Sequence, residues 1–265
     1  MIKVAKIIFF QPHPDDLEFN CAHLIHYLST KSVKGHSIKI ASITKGEFGL
    51  PGYQYDKFKG KFLAKVRTKE LYSALALHNI NSDNVQFFGY IDGFVKFNRE
   101  LITKIKQYII EEKPDIIFAP EALYTWYQHK DHVNTGKAIY YIIKNNLVNF
   151  TPKLYFYGTI FPNFLFGFKS TDFELVDKLL ACHKTQYWLL NRLKLTYKFT
   201  TSRAGLKLSG WKHAEKYRRV YFLSSNRKKN NPPFIIKMLT HWYCSMPWFK
   251  AKYPKDILLK MKKAI

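Results

Sequence analysis

A chain of 265 residues with 47% hydrophobic content can bury one core, and 43 Lys+Arg against 19 Asp+Glu leave it at +24. Such a field attracts anionic partners or merely solvates a Lys-rich surface; it says nothing about fold. Cys21, Cys182 and Cys244 form no CxxC pair, which argues against a disulfide scaffold or a cysteine-rich zinc module and fits a reducing compartment.

The first elements alternate between strand and helix. Residues 4–11 are apolar and β-rich and stop at Pro12, so they read as a strand rather than a signal peptide. Residues 19–29 have helical periodicity through Phe19, Ala22, His23, His26 and Tyr27. A strand is expected over 37–44, a loop rich in Gly, Tyr and Lys over 49–60, and a helix over 62–77. A short strand follows at 85–88, a helix over 99–112 ending before Pro114, and a strand at 116–119 closed by Pro120. Residues 134–144 read as a helix and 153–157 as a strand. From Ser170 the pattern changes: 172–190 looks helical and 194–201 is expected as a strand. Residues 227–265 hold ten Lys or Arg and a single acid, Asp256, among Trp242, Tyr243, Trp248, Phe249 and Tyr253. No stretch reaches the ~18–20 uncharged apolar residues of a membrane span.

This rhythm predicts an α/β fold, a Rossmann-like, doubly wound, mostly parallel sheet. The expected organisation is a single domain over residues 1–222 with a basic, aromatic extension over 223–265. In such sheets ligands gather beyond the carboxyl ends of the strands. The loops at that edge carry His13, Asp15 and Asp16, then Glu47, then His129 and His132.

Those residue types suit a catalytic metal, which keeps three protein ligands and a water. His13 and Asp16 are three apart on a strand-to-helix turn and can face one point, while His132 opens a helix after another strand. Asp15 would stand beside the water and take its proton, which zinc makes easier by lowering the water's pKa toward ~7. His129, as an imidazolium, would stabilise the oxyanion and protonate the leaving amine. Asp131 would orient one histidine. Each segment alone has a plainer reading: Asp16 as the cap of a helix near Leu17, and the two histidines as a polar helix start. Two such segments, each after a strand of one sheet, are more specific.

His13-Pro14-Asp15-Asp16-Leu17-Glu18 and His129-Lys130-Asp131-His132 resemble the two signature motifs of the LmbE-like, PIG-L type zinc de-N-acetylases. Further similar segments run in order: Thr44-Lys45-Gly46-Glu47-Phe48-Gly49, Arg67-Thr68-Lys69-Glu70, Gly89-Tyr90-Ile91-Asp92-Gly93, His183-Lys184-Thr185-Gln186 and Ala214-Glu215-Lys216-Tyr217. The chain departs from the family pattern at Cys21-Ala22, where relatives usually carry Gly-Gly, and at Lys130, often proline. The resemblance implies His13, Asp16 and His132 as zinc ligands, with Fe²⁺ able to use the same set. It implies Asp15 as general base, His129 as its acid or electrostatic partner, and sugar contacts from Arg67 and Asp92. Arg67 paired with Glu70 on an exposed face, and Asp92 shaping a turn before Gly93, are the structural alternatives.

The expected reaction is removal of the N-acetyl group from an N-acetylglucosamine-type conjugate, with an anionic or lipid-linked aglycone compatible with the charge. The expected place is the cytoplasm, peripheral at the inner membrane face if the extension contacts lipid; otherwise its aromatics dock on the domain. A homo-oligomer stays open. The competing reading is a basic nucleic-acid or membrane-surface binder without catalysis, but no helix-turn-helix, RNP motif or finger is present. A nucleotide-binding Rossmann enzyme is disfavoured because Pro12-His13-Pro14-Asp15-Asp16 offers acids where a phosphate cradle needs glycines.

Overall fold

Every strand residue of β1 (Lys6–Gln11) after the first is buried, and its side chains alternate between two separate cores. Ile7 and Phe9 join one, with Leu24, Ile25, Ile40, Leu71 and Leu75. Ile8 and Phe10 join the other, with Ile43, Leu101, Ile105, Ile109, Ile139 and Ile142. The period of two along the strand therefore requires helices on both faces of the sheet. The computed structural model, which describes residues 4–31, 35–50, 53–125, 127, 129–222, 234, 235 and 238, supplies them. Helices α1 (Ala22–His26, running on as one π-helical turn) and α2 (Lys61–Ala76) cover the first face. Helices α3 (Arg99–Glu112) and α4 (Lys130–Lys144) cover the second. Helices α5 (Phe173–Cys182) and α6 (Tyr187–Gly205) share a third, smaller cluster around Phe168, Leu179 and Tyr197.

The other strands are β2 (Ser37–Thr44), β3 (Val85–Tyr90), β4 (Ile116–Pro120), β5 (Lys153–Tyr157), β6 (Phe164–Phe168) and β7 (His213–Arg219). The sheet order is β3-β2-β1-β4-β5-β7-β6. Strands β1 to β5 are parallel, and β7 runs antiparallel between β5 and β6. The chain moves outward from β1 to β3 and then crosses back to β4 on the other side of β1. That reversal opens a crevice between the loops following β1 and β4. Local signals set the boundaries. Asn98 accepts the Leu101 N–H at 2.9 Å to start α3, and Lys113 at φ 47, followed by Pro114, ends it.

The predicted α/β class and parallel core are present. Four details differ. Helix α4 begins at Lys130, four residues before the expected start, because His129 caps it. The helix expected over 172–190 is broken at His183–Gln186 into α5 and α6. Residues 194–201 lie inside α6 and are not a strand. Their polar–apolar alternation imitates a strand, but the buried positions, Tyr197, Thr201 and Ala204, follow helical spacing. Strands β6 and β7 were not foreseen, β7 because it buries the charged Glu215 and Arg218. The extension, with Trp242, Tyr243, Trp248, Phe249 and Tyr253, lies outside the described residues apart from 234, 235 and 238. Among the described residues no helix is long and apolar enough to cross a membrane.

Gly136 lets α4 lie directly on the end of β4. A Cβ there would stand 2.3 Å from the Pro120 carbonyl oxygen and 3.1 Å from the Ala122 backbone nitrogen. Since that oxygen is backbone, the helix itself must shift. Gly136→Ala is expected to cost ~1–3 kcal/mol despite alanine's better helix propensity, read as a lower midpoint in urea unfolding.

Candidate metal centre

The loop after β1 folds back on itself. The Asp16 carboxylate accepts the His13 backbone N–H at 2.7 Å, and the Asp16 N–H donates to the His13 carbonyl at 3.3 Å. Asp16 is thereby turned toward His13, and α1 begins six residues later at Ala22 without a local side-chain cap. The plain capping role for Asp16 is thus not the one it has. His132, in the first turn of α4, reaches across the crevice. Its Nε2 lies 3.1 Å from Asp16 Oδ1 and 3.3 Å from His13 Nδ1, and His13 Nδ1 lies 3.4 Å from Asp16 Oδ2. A tetrahedral zinc with ~2.0–2.1 Å bonds needs ligand atoms roughly 3.3–3.4 Å apart. His13 Nδ1, His132 Nε2 and the Asp16 carboxylate, which meets each ring with a different oxygen, therefore lie close enough together to hold such an ion.

A second layer holds His13 from behind. Its Nε2 faces Asp92 Oδ1 at 3.1 Å and Asp131 Oδ2 at 3.2 Å. Asp131 is fully buried and also accepts the backbone N–H groups of Gly93 (2.6 Å) and Val95 (3.1 Å). Asp92 accepts the Phe48 N–H at 3.1 Å. His13, Asp92, His129 and Asp131 also place donor atoms close together. Because backbone N–H groups already occupy both aspartates, and Asp131 N–H points at His129 Nδ1 (3.4 Å), this group reads as support for the first. Burial alone would lower the His13 pKa, but Asp92, Asp16 and Asp131 together raise it well above the usual value. Burial alone would raise Asp16, yet His132 and His13 hold it far below the carboxylate range. Asp92, opposed by the same burial, is drawn down to about 2, chiefly by His13 and then Arg67. A cation is what this pocket favours.

Asp15 projects to a different partner. Arg67, buried on α2, donates from Nη2 to Asp15 Oδ1 at 2.6 Å and from Nη1 to the Gly46 carbonyl at 3.0 Å. The loop 44–49 makes room for that guanidinium with two glycines. A Cβ on Gly46 or Gly49 would fall 2.1 or 2.3 Å from Arg67 Nη1, and Gly46 also has φ +66. Arg67 is therefore no exposed partner of Glu70; that carboxylate takes the Thr185 N–H (2.8 Å) and hydroxyl (2.7 Å).

His129 caps α4, with its ring edge-on to His13 at 4.9 Å and stacked on Tyr127 at 5.9 Å. Burial, then His13 and His132, push its pKa down to about 4. The imidazolium expected for it is disfavoured for that reason. With Nδ1 as acceptor, the neutral ring carries its proton on Nε2.

Several supports escaped the sequence reading. Glu121, directly after β4, forms a buried two-pronged pair with Arg218 of β7 at 2.6 and 2.7 Å. Glu18 meets His183 at 2.8 Å, both buried, tying the α5–α6 break to the first motif. The signal for Glu121 was its place at the carboxyl end of a strand; Arg218 and Tyr127 gave none. Cys21 is buried in the apolar core, as expected of a small thiol, and is no part of the ligand set.

A mostly parallel sheet with a His/Asp cluster at its switch point defines an α/β protein built around a metal-competent crevice. The sequence profile described as PIG-L, GlcNAc-PI de-N-acetylase, matches residues 8–143, and the chain belongs to that family. No curated protein sequence matches the chain significantly. Among solved structures, the N,N'-diacetylchitobiose deacetylase from Pyrococcus horikoshii is 22% identical, with TM-score 0.71, over 82% of this chain and 84% of its own. An A40926 pseudoaglycone deacetylase is 13% identical, with TM-score 0.62, over 84% of this chain and 100% of its own. A 4-carboxy-2-hydroxymuconate hydratase from Pseudomonas putida is 14% identical, with TM-score 0.61, over 82% of this chain and 96% of its own. At these identities the structural likeness concerns the fold, and one fold here carries two reaction types.

The segment around Glu215 has a structural task. Its buried carboxylate accepts the N–H groups of His23 (2.8 Å) and Leu24 (3.0 Å) and the Tyr217 hydroxyl (2.7 Å), so β7 supplies the cap that α1 lacks. Burial pushes its pKa up to about 7, against the pull of Tyr217 and the two amides. The folded chain then keeps a proton that the unfolded chain releases near pH 4.5. Glu215 makes stability fall as pH rises from 4.5 through 7, since the folded state binds more protons in that window. Glu215→Gln is expected to flatten this component, measured as urea midpoints across the same pH range.

Proposed function

We propose that the chain is a zinc-dependent hydrolase that removes the N-acetyl group from an N-acetylglucosamine-type sugar conjugate. The observation that carries this reading is the trio of His13 Nδ1, His132 Nε2 and the Asp16 carboxylate, with contacts of 3.1–3.4 Å made through the two Asp16 oxygens, close to the ligand separation of a tetrahedral site. Family membership supports the reaction class, and the diacetylchitobiose deacetylase supports the sugar.

His13, Asp16 and His132 would hold the ion, with Fe²⁺ as the alternative occupant. When bound, zinc supplies Lewis acidity and lowers the pKa of a water toward ~7. Asp15, held by Arg67, takes the proton of the attacking water and returns it to the amine as the C–N bond breaks, leaving acetate and a free amino sugar. His129, neutral in its Nε2–H form, donates to the amide oxygen as negative charge develops there. Asp131 positions His13 through Nε2. Arg67 and Asp92 border the sugar and offer it hydrogen bonds beside their contacts to Asp15 and His13. The +24 charge favours an anionic or lipid-linked aglycone.

Metal analysis of the purified protein is expected to find about one zinc per chain, with His13→Ala and His132→Ala losing most of it. Asp15→Asn should keep its metal yet release acetate from N-acetylglucosaminyl compounds ~10²–10⁴-fold more slowly. Full activity in Asp15→Asn would remove the proton-transfer role. Water addition to an unsaturated acid without acetate release would place the chain with the hydratase instead.

A further inference from the structure

Helix α6 turns an apolar stripe outward. Leu195, Phe199 and Leu206 are 77%, 61% and 82% exposed, and they recur at i, i+4 and i+11, one line along a helix. Arg203 lies in the same line, its guanidinium 5.8 Å from the Phe199 ring. The opposite face, Tyr197, Thr201 and Ala204, is buried, so the stripe is not a fault of packing. Beyond the helix, Trp211 lies over Gly167 of the edge strand β6 and stays 42% exposed. The whole segment 187–212 holds six Lys or Arg and neither Asp nor Glu. Lys194 is paired with Asp177; Arg203, Lys207 and Lys212 are exposed beside the apolar residues.

We propose that this face of α6 docks on an anionic lipid bilayer, with Leu195, Phe199 and Leu206 entering the headgroup–acyl boundary and Arg203 and Lys207 meeting lipid phosphates. A surface helix with an apolar line flanked by an excess of cations, and with no acid of its own, has the chemistry for that interface. Charge selects the occupant. The chain's own segment 227–265 carries ten Lys or Arg against one acid, so it is a poor cover for an acid-free cationic face. A second copy brings the same like charge. Nucleic acid offers phosphates but no apolar phase for Leu195 and Leu206. At ~1.5 Å per residue the helix is about 28 Å long, enough to lie flat on a membrane. It starts one residue after Gln186, whose side chain stands 3.3 Å from where a Gly49 Cβ would be, so α6 runs outward from the loop that surrounds Arg67 to the docked residues.

The full chain is mixed with phosphatidylcholine vesicles with and without phosphatidylglycerol, and binding is read by co-sedimentation. Binding is expected only with phosphatidylglycerol and should weaken as salt is raised. Leu195→Glu with Leu206→Glu is expected to lower partitioning about a hundredfold, and Arg203→Glu with Lys207→Glu at least about thirtyfold. Unchanged thermal unfolding of both variants shows that the fold survives, independently of any deacetylase assay. Wild-type-like vesicle binding by the Leu195/Leu206 variant would overturn the proposal. So would a wild-type dimer that this variant abolishes, or displacement from the vesicles by duplex DNA.

Discussion

His13 has two ring nitrogens, and the structure gives them separate tasks. Nε2 is turned toward Asp92 and Asp131, and this leaves Nδ1 aimed at Asp16 and His132. The partner of one imidazole nitrogen sets the tautomer and the aim of the other. The rest of the centre exists to fix it. Asp131 is immobilised by two backbone amides of the loop after β3, and Asp92 belongs to that same loop. The chain thus uses an outer strand to aim a residue that follows the central one.

The cost of this arrangement is several buried charges on adjoining loops. Each one is paired. Asp15 has Arg67, Glu121 has Arg218, Glu18 has His183, and Glu70 has two donors from Thr185. Breaking a buried pair leaves an uncompensated charge and is strongly destabilising. These pairings bring together motifs scattered from residue 13 to residue 218.

The sequence made the inner part of this arrangement readable. Strand ends, loop acids and paired histidines pointed to the crevice, because the parallel sheet leaves few other places for them. Helix α3 was legible to the residue, Pro114 marking its end in the sequence, while the Asn98 cap at its start is seen in the structure. The pairing of Arg67 with Asp15 was not, because it depends on the path of two glycines in a loop and not on spacing along α2. Strand β7 was also hidden. Its burial comes from Glu121 and from the open end of α1, partners about 97 and 192 residues away. Segment 194–201 misled because a helix with one greasy outer line alternates like a strand. The protonation state of His129 needed the neighbouring rings in place before it could be read.

The loop between β4 and α4 is clamped at both ends, at Glu121 by Arg218 and at Asp131 by Gly93 and Val95. Between the clamps, Thr125 is bridged to Thr159, and Leu123 and Tyr127 reach solvent. Tyr127 packs edge-on against His132 at 4.8 Å, so of these two side chains only Leu123 stands clear of the histidines. A lineage of such proteins can vary Leu123 while inheriting the same His/Asp cluster, whereas a change at Tyr127 reaches both His129 and His132.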